Sequence, residues 1–318
     1  MATDWVVSII VVREGVTVQA LILAGGEGRR MSDITAHVPK PLLYVPGGTL
    51  LEHHLAQLAQ LGISHTLVVV HHKAEQMERA LHGLEGVTLV RQRPPYTLLG
   101  ALASAQAHVT ELCLVLHCDN YFSNGLDYLL QEAQNTPSGL NATFLLESQT
   151  HQQDKARRLA STGCYVLSPE VLSDPSTRQD ADGLWHLTAG LLESGAMVRE
   201  VPLQGWRTNI NHLRDLLSVS RRILGDWSGT FHPPKAAAGY NRTEGCRNAE
   251  LPLWISSDSQ AIDSDLGPNV VVGPQARVRG CELREVIVFP GAGIVGQRVE
   301  GGVVVKTRTG SLVLTSKE

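Results

Sequence analysis

Short apolar runs alternate with amphipathic stretches over about the first two thirds of the chain. The first run, Ala20-Leu21-Ile22-Leu23, ends at two glycines and predicts a buried strand that leads into a loop. Residues 51–61 instead place their apolar positions at helical spacing and are followed by Gly62. Strands that alternate with helices in this way are typical of βαβ units, so the pattern predicts an α/β domain with a mainly parallel sheet. The predicted strands lie at 20–23, 66–70, 87–90 and 112–116, and the predicted helices at 51–61, 73–81 and 100–108.

A different period appears near the C-terminus. From Leu266 onward an aliphatic residue recurs at every sixth position, and after a slip in register the pattern resumes at Val288. A six-residue period is typical of a parallel β-helix, in which the aliphatic residue of each repeat points inward. We therefore predict a short left-handed parallel β-helix with hexapeptide repeats at 261–318, and an irregular β-meander is the alternative. Because so short a solenoid cannot easily stand alone, we expect it to dock on the preceding domain or on another subunit.

The two patterns suggest where the chain divides. The α/β pattern occupies 18–225, and residues 226–260 carry Pro233-Pro234 with little periodicity, which predicts a linker. Residues 1–17 form an N-terminal extension that either adds an edge strand or precedes a natural start at Val16 or Val18.

Composition and charge exclude several classes of protein. The chain has 318 residues and a formal net charge of −4, which excludes a protein dominated by polycationic nucleic-acid binding. Its five cysteines are an odd number without metal-type spacing, so we expect no disulfide framework and a reducing compartment, the cytoplasm. No apolar run approaches the roughly 18 residues that would span a membrane. We expect neither nucleic acid nor a membrane as a partner.

The strongest chemical signal is a glycine-rich turn directly after the first predicted strand. It reads Leu23-Ala24-Gly25-Gly26-Glu27-Gly28-Arg29-Arg30-Met31 and is followed by Pro39-Lys40-Pro41. Such a turn lets backbone N–H groups approach phosphate oxygens, and the arginines add charge-assisted hydrogen bonds. The turn is not a P-loop, because no Gly-Lys-Ser/Thr closes it, and Met31 stands where a dinucleotide fingerprint needs its third glycine. Taken alone, the turn is also compatible with a purely structural role.

The residues that follow the turn carry a family resemblance. The spacing of Arg30, Thr35 and Lys40 resembles the Gly-Gly-x-Gly-x-Arg, Thr and Pro-Lys-Pro elements of the sugar-1-phosphate nucleotidylyltransferases. The resemblance covers about 18–224, and the C-terminal repeats resemble the tail of longer members such as mannose-1-phosphate guanylyltransferases and long glucose-1-phosphate thymidylyltransferases. Further matching elements are Leu114-Val115-Leu116 before Asp119-Asn120, Gly163-Cys164-Tyr165-Val166, and Gly205-Trp206 before Asp215-Leu216-Leu217.

The resemblance implies a Rossmann-like nucleotidyltransferase domain and an activity. Such an enzyme makes an NDP-sugar and pyrophosphate from an NTP and a sugar-1-phosphate, whose phosphate oxygen attacks the α-phosphorus in line. Catalysis of this kind consists mostly of positioning and charge neutralisation. By resemblance, Arg30 stabilises the triphosphate, Lys40 contacts the phosphate under attack, and Asp119 with Asn209 holds Mg²⁺, which prefers oxygen ligands. We also expect a homo-oligomer.

The resemblance assigns further residues to the two substrates. Residues 23–29 of the turn, together with Gln92, Thr97 and Leu98, are implied to bind the nucleotide. Asn120, Gly163 and Lys155 are implied to bind the sugar-phosphate.

Several positions depart from the family pattern. Asn209 stands where a second metal-binding carboxylate is usual, so one negative charge is lost. The Glu-Lys-Pro element that supplies a sugar-phosphate-binding lysine is absent, and Lys155, Arg157 or Arg158 is a candidate substitute. The loop at 96–101 combines features of thymidylyl- and guanylyltransferases, so it does not indicate which nucleobase the protein binds.

Two rival functions are also compatible with the sequence. Asn209 and the missing lysine element favour a noncatalytic paralogue that senses nucleotide-sugars, whereas the intact glycine turn, Lys40 and Asp119 oppose it. A bifunctional enzyme with an acyl-transferring β-helix is the lesser alternative, because the repeats are few and lack a convincing catalytic histidine.

Overall fold

The computed structural model describes residues 17–124, 126–135, 139, 141–147, 154–173, 183–229 and 245–316. The predicted N-terminal extension lies outside the described residues, apart from Thr17. Residues 230–244 of the predicted linker also lie outside them.

The first part of the chain is built on strands that alternate with helices, as the apolar pattern predicts. Its described strands are β1 (Val18–Leu23), β2 (Tyr44–Val45), β3 (Gly48–Thr49), β4 (Thr66–Val70), β5 (Val87–Arg91), β6 (Leu112–His117), β7 (Asn120–Phe122), β8 (Asn141–Leu146), β9 (Cys164–Leu167), β10 (Met197–Pro202) and β11 (Arg207–Asn209). Its described helices are α1 (Ser32–Thr35), α2 (Leu50–Gln60), α3 (Ala74–Leu81), α4 (Leu98–Ala105), α5 (Leu126–Gln134), α6 (Lys155–Leu159), α7 (Pro169–Ser173), α8 (Leu184–Glu193) and α9 (Leu213–Gly229).

One mainly parallel sheet organises these elements, and it confirms the predicted α/β architecture. Its strand order is β10-β8-β9-β6-β1-β4-β5, and β9 runs antiparallel to both of its neighbours. The first strand pairs parallel with β4 on one side and with β6 on the other. The sheet therefore extends from β1 on both sides, and β1 lies at the point where the strand order changes direction. Ligands of such folds bind at this switch point, outside the carboxyl ends of the strands.

Helices cover both faces of the sheet with apolar side chains. On one face Leu51, Leu58 and Met77 of α2 and α3 join the core, and on the other face Leu102 and Leu187 of α4 and α8 do so. Helix α2 begins with a capping box, because the Thr49 side chain accepts from the Glu52 backbone N–H while the Glu52 carboxylate accepts from that of Thr49.

The C-terminal part consists of short parallel strands stacked on one another. Strands β13, β16, β18 and β20 pair side by side, and β14, β17 and β19 form a second stack. The aliphatic residues that recur at every sixth position, such as Leu266 and Val288, are buried. This arrangement is compatible with the predicted β-helix. The strands are β12 (Asn248–Ala249), β13 (Leu253–Ile255), β14 (Gln260–Ile262), β15 (Asp265–Leu266), β16 (Val270–Val272), β17 (Arg277–Arg279), β18 (Glu282–Val288), β19 (Gly293–Val295), β20 (Arg298–Lys306) and β21 (Ser311–Thr315).

The parallel strands begin earlier than predicted. Strands β12, β13 and the first residue of β14 fall inside 226–260, the segment predicted as a linker. They pair in parallel with β15, β16 and β17, so they belong to the stack and not to a connection.

The two parts of the chain share one apolar core. Leu216 and Ile223 of α9 pack in the same buried cluster as Met31 of the first part and Phe289 and Val303 of the C-terminal strands. The C-terminal strands therefore dock on the α/β domain, which is one of the two arrangements expected from the sequence.

Candidate functional site

A cavity of about 410 Å³ opens at the carboxyl edge of the sheet, beside β1 and β6. It brings together the glycine-rich turn, the Pro-Lys-Pro element and the end of β6, which are far apart in sequence. Its lining residues are Leu23, Ala24, Gly25, Gly26, Gly28, Arg29, Arg30, Met31, Lys40, Pro41, Gln92, Tyr96, Thr97, Leu98, Ala101, His117, Cys118, Asp119 and Asn211.

The glycine-rich turn has a conformation that its residues dictate. Gly28 has φ +67°, a left-handed conformation that favours glycine, and its carbonyl accepts from the Met31 N–H at 2.9 Å and from the Thr35 hydroxyl at 3.1 Å. A Cβ at this position would lie 2.7 Å from Cγ2 of Thr35. Thr35 thus closes the turn, which explains in physical terms why it belongs to the predicted motif.

The other wall of the cavity is the loop between β5 and α4. The side-chain amide of Gln92 donates to the Thr97 carbonyl at 2.8 Å, and the Thr97 hydroxyl caps α4 by accepting from the Gly100 N–H at 3.0 Å. The Tyr96 ring stacks on His71 with centroids 3.6 Å apart. Gln92, Thr97 and Leu98 therefore line the same cavity as the glycine turn.

Lys40, Asp119 and a third residue converge at the floor of the cavity. The Lys40 Nζ lies 2.9 Å from Oδ2 of Asp119 and 3.2 Å from Oδ1 of Asn211. Burial raises the pKa of Asp119, but the charge and hydrogen bond of Lys40 together with the charge of His117 outweigh it, and the pKa is lowered below its usual value. Asp119 is therefore an ionised carboxylate at neutral pH.

These oxygens fit a magnesium ion. A carboxylate and an amide oxygen approach one ammonium group, which shows that both reach a single cation, and hard oxygen donors are those that Mg²⁺ prefers. Among the described residues no group of three His, Cys, Asp or Glu side chains could hold a metal ion. Asp119 and Asn211, completed by substrate phosphate and water, are the donors available here.

Asn209, which is predicted to hold the metal with Asp119, is not among the residues that line the cavity, whereas Asn211 is. Asn209 is exposed at the end of β11, opposite Asn120 of β7, and does not line the cavity. The buried Ile210 donates its N–H to the Asp119 carbonyl at 2.8 Å, and the chain then turns into α9 with the Asn211 side chain at the cavity. The two asparagines flank one residue, and the sequence carries no signal that chooses between them.

Asn120 and Gly163 lie together beyond Asp119. The Asn120 side-chain amide donates to Oδ1 of Asp119 at 2.9 Å. Gly163 has φ +65°, and a Cβ there would lie 2.9 Å from the His117 ring and 3.1 Å from the Asn120 amide nitrogen. Asn120 therefore contacts Asp119 directly, and Gly163 packs against Asn120 and His117.

Two predicted residues lie away from this cluster. Lys155 is exposed on α6, 3.7 Å from the Glu200 carboxylate, and its side chain does not reach the cavity. Its neighbour Arg158 also pairs with Glu200, at 2.7 Å. Glu27 faces solvent and binds Arg29 at 2.7 Å, so within the turn it does not line the cavity.

Sequence reasoning missed Arg207. Its guanidinium donates from Nη1 to the Asn120 side-chain oxygen at 2.6 Å and from Nη2 to the Glu147 carboxylate at 2.9 Å. A cation therefore does lie beside Asn120, on a strand that carried no motif. The one available signal was its place after Gly205-Trp206 in the matching element.

The fold and this site define an α/β nucleotidyltransferase domain. Residues 20–174 match the family model of the MobA-like NTP transferase domain. Over the part of the chain that the structure describes, no helix has the length and apolar character needed to cross a membrane.

Relatives extend the similarity beyond that domain. The chain is 26% identical to a glucose-1-phosphate thymidylyltransferase of Streptomyces antibioticus, over 90% of this chain and 91% of that protein. It is also 26% identical to the UTP–glucose-1-phosphate uridylyltransferase AglF of Haloferax volcanii, over 64% of this chain and 96% of that protein. The predicted resemblance is confirmed: the relatives of this chain are sugar-1-phosphate nucleotidylyltransferases.

Solved structures share the fold. The inositol-1-phosphate CTP transferase of T. maritima superposes with a TM-score of 0.55 at 18% identity, covering 69% of this chain and 99% of that one. A putative glucose-1-phosphate thymidylyltransferase of Bacillus anthracis gives a TM-score of 0.54 at 20% identity, covering 69% of this chain and 98% of that one.

Proposed function

We propose that the protein joins a nucleoside triphosphate to a sugar-1-phosphate, releasing pyrophosphate and forming an NDP-sugar. The observation that carries the proposal is the convergence of Lys40, Asp119 and Asn211 in the cavity that the glycine turn lines. The relatives act on glucose-1-phosphate with thymidylyl or uridylyl donors by their names, which supports this substrate class.

In this proposal the turn holds the triphosphate. Backbone N–H groups from Gly25 to Gly28 approach its oxygens closely, because a glycine backbone leaves the space that a Cβ would occupy. Arg30, exposed at the mouth of the cavity, neutralises charge on the departing pyrophosphate. Gln92 and Thr97 hold the loop against which the base lies.

Lys40 contacts the α-phosphate in this proposal, and Asp119 and Asn211 hold the metal. Bound Mg²⁺ would supply positive charge against the developing negative charge on the phosphate oxygens. Lys40 is 11% exposed and bonds the same two oxygens, so its ammonium lies beside the place proposed for the metal and the α-phosphate. The sugar-1-phosphate enters beside Asn120 and Gly163, where its phosphate oxygen attacks the α-phosphorus in line.

A screen for pyrophosphate release tests the proposal. The protein is assayed with Mg²⁺ against each common NTP and a panel of sugar-1-phosphates. Arg30→Ala and Lys40→Ala should lower kcat much more than they weaken NTP binding, because the transition state needs both charges more than the ground state does. Arg79→Ala, an exposed change on α3, is the matched control.

The screen also separates the rival function. Asp119→Ala should cost at least ~10²-fold in rate if the carboxylate holds the metal. A wild-type protein that binds NTP tightly but is inert with every substrate pair would favour the nucleotide-sugar sensor.

We also propose that the C-terminal strands form a short left-handed β-helix and that the chain assembles into a homo-oligomer. Two stacks of parallel pairs support the first part. The exposed side chains of Ile262 and Val295, 42% and 68% exposed on the β14–β17–β19 stack, support the second. Analytical ultracentrifugation of wild type and Val295→Lys checks it, and a monomer for both would contradict it.

A further inference from the structure

The second substrate of the proposed reaction brings a second anion to the site. A sugar-1-phosphate carries a phosphate dianion that must lie beside the α-phosphate, and two phosphates in one cavity need more than one cationic partner. Lys40 already contacts Asp119 and Asn211 in the cavity where the nucleotide is proposed to bind. On the proposed function, a second cation must therefore lie beside the phosphate of the sugar-1-phosphate.

The cations of α6 do not serve that role. Lys155 and Arg158 both pair with Glu200, and Arg157 pairs with Asp154, the N-cap residue of α6. Arg207 differs, because its guanidinium touches Asn120 directly. Since Lys40 bonds Asp119 and Arg207 bonds Asn120, the two cations flank a pair of adjacent residues at the end of β6.

One N–H group of the Arg207 guanidinium has no hydrogen-bond partner among the described residues. Its side chain is only 11% exposed, with Nη1 bound to Asn120 and Nη2 bound to Glu147. Its Nε is buried and has no hydrogen-bond partner among the described residues. Arg207 lies next to Asn120 and is not among the residues that line the cavity. A buried N–H without a partner costs free energy, so this group points to a ligand that completes it.

The hydrogen bond to Asn120 also fixes the direction of that amide. A guanidinium only donates, so the Asn120 oxygen must face Arg207 and its NH₂ group must face Asp119, 2.9 Å away. Arg207 and the metal carboxylate are thereby connected through one side chain. The short strand β11, paired with β7, delivers both Arg207 and the segment that leads to Asn211.

We propose that Arg207 anchors the phosphate of the sugar-1-phosphate and is the residue that replaces the lysine missing from this chain. A planar guanidinium suits this role, because its N–H groups form paired bonds to phosphate oxygens. Asn120 and the main chain at Gly163 then lie beside the attached sugar.

Steady-state kinetics with both substrates varied test the assignment. Arg207→Gln should raise KM for the sugar-1-phosphate that the screen identifies roughly 10- to 100-fold, the loss expected for hydrogen bonds to a charged group. KM for the NTP should change less than about 3-fold, and Arg207→Lys should recover part of the loss because it keeps the charge. Arg158→Gln, which removes an arginine paired outside the cavity, is the control.

A spectroscopic measurement keeps the assignment testable if Arg207→Gln does not fold. In the NMR spectrum of ¹⁵N-arginine-labelled wild type, the Nε–H resonance of Arg207 is identified as the one that Arg207→Lys removes. This resonance should shift when the sugar-1-phosphate is added. It should not shift when the same sugar without the phosphate is added. An unmoved resonance, or a folded Arg207→Gln protein with wild-type KM for the sugar-1-phosphate, would overturn the assignment while leaving the proposed function standing. A wild type inert in the whole screen would overturn both.

Discussion

His54 gives the stability of this protein a pH dependence that can be worked out from its surroundings. The residue lies on α2, 2% exposed, and neither ring nitrogen has a hydrogen-bond partner among the described residues. Burial, together with a smaller contribution from the adjacent His53, lowers its pKa from 6.5 to about 4. The imidazole is therefore neutral in the folded protein at neutral pH.

The direction of the effect follows from the two pKa values. The denatured chain binds a proton at His54 near pH 6.5, whereas the folded protein does so only near pH 4. Below pH 6.5 the denatured state binds more protons, so the free energy of unfolding falls as the pH falls from about 6.5 to 4. One pH unit corresponds to about 1.4 kcal/mol, which gives a loss of about 3 kcal/mol over this range.

Urea unfolding followed by tryptophan fluorescence between pH 4.5 and 8 measures this loss. His54→Leu removes the titrating group while keeping a buried apolar side chain, so the variant should gain stability relative to wild type as the pH falls below about 6. The exposed His108→Asn serves as the control, and its difference from wild type should not grow. A constant difference between wild type and His54→Leu across the whole pH range would refute the reasoning.

Three further results are expected. Gly28→Ala should lower the free energy of unfolding by about 1–2 kcal/mol for its left-handed conformation, with more for the contact to Thr35, and should raise KM for NTP in a parallel kinetic assay. Asn211→Asp should lower the Mg²⁺ concentration needed for half-maximal turnover, while Asn209→Asp should not, and equal titrations would place neither asparagine at the metal. Phe289→Ala should cost about 3–5 kcal/mol in urea unfolding and should destabilise both parts of the chain together, so two separate transitions would contradict the shared core.

Local patterns predicted the sheet and much of the site. Parallel strands are buried on both faces, so β1, β4 and β6 stand out in sequence as apolar runs. The glycine turn and Lys40 follow a strand within a few tens of residues, and their chemistry is visible without knowledge of the fold. Their meeting in one cavity follows from where the predicted strands end.

The parts that the sequence did not predict depend on distant partners. Arg207 acquires its position from Asn120 and Glu147, which are 87 and 60 residues away in the chain. Asn211 reaches the cavity because the Asp215 carboxylate accepts from its N–H at 2.9 Å and fixes the turn before α9. Neither contact leaves a periodic trace, and neither could be read without the packed structure.

The shared core couples the C-terminal strands to the glycine-rich turn. Met31, the residue after Arg30, is 5% exposed and packs in one cluster with Val303 and Val305 of β20. A ligand that orders the glycine turn through this cluster also favours the packed state of β20, and a change that loosens β20 weakens that ligand by the coupling free energy, since such linkage is reciprocal. Under the proposed function, the affinity of the glycine turn for phosphate is in this way coupled to residues more than 250 positions further along the chain.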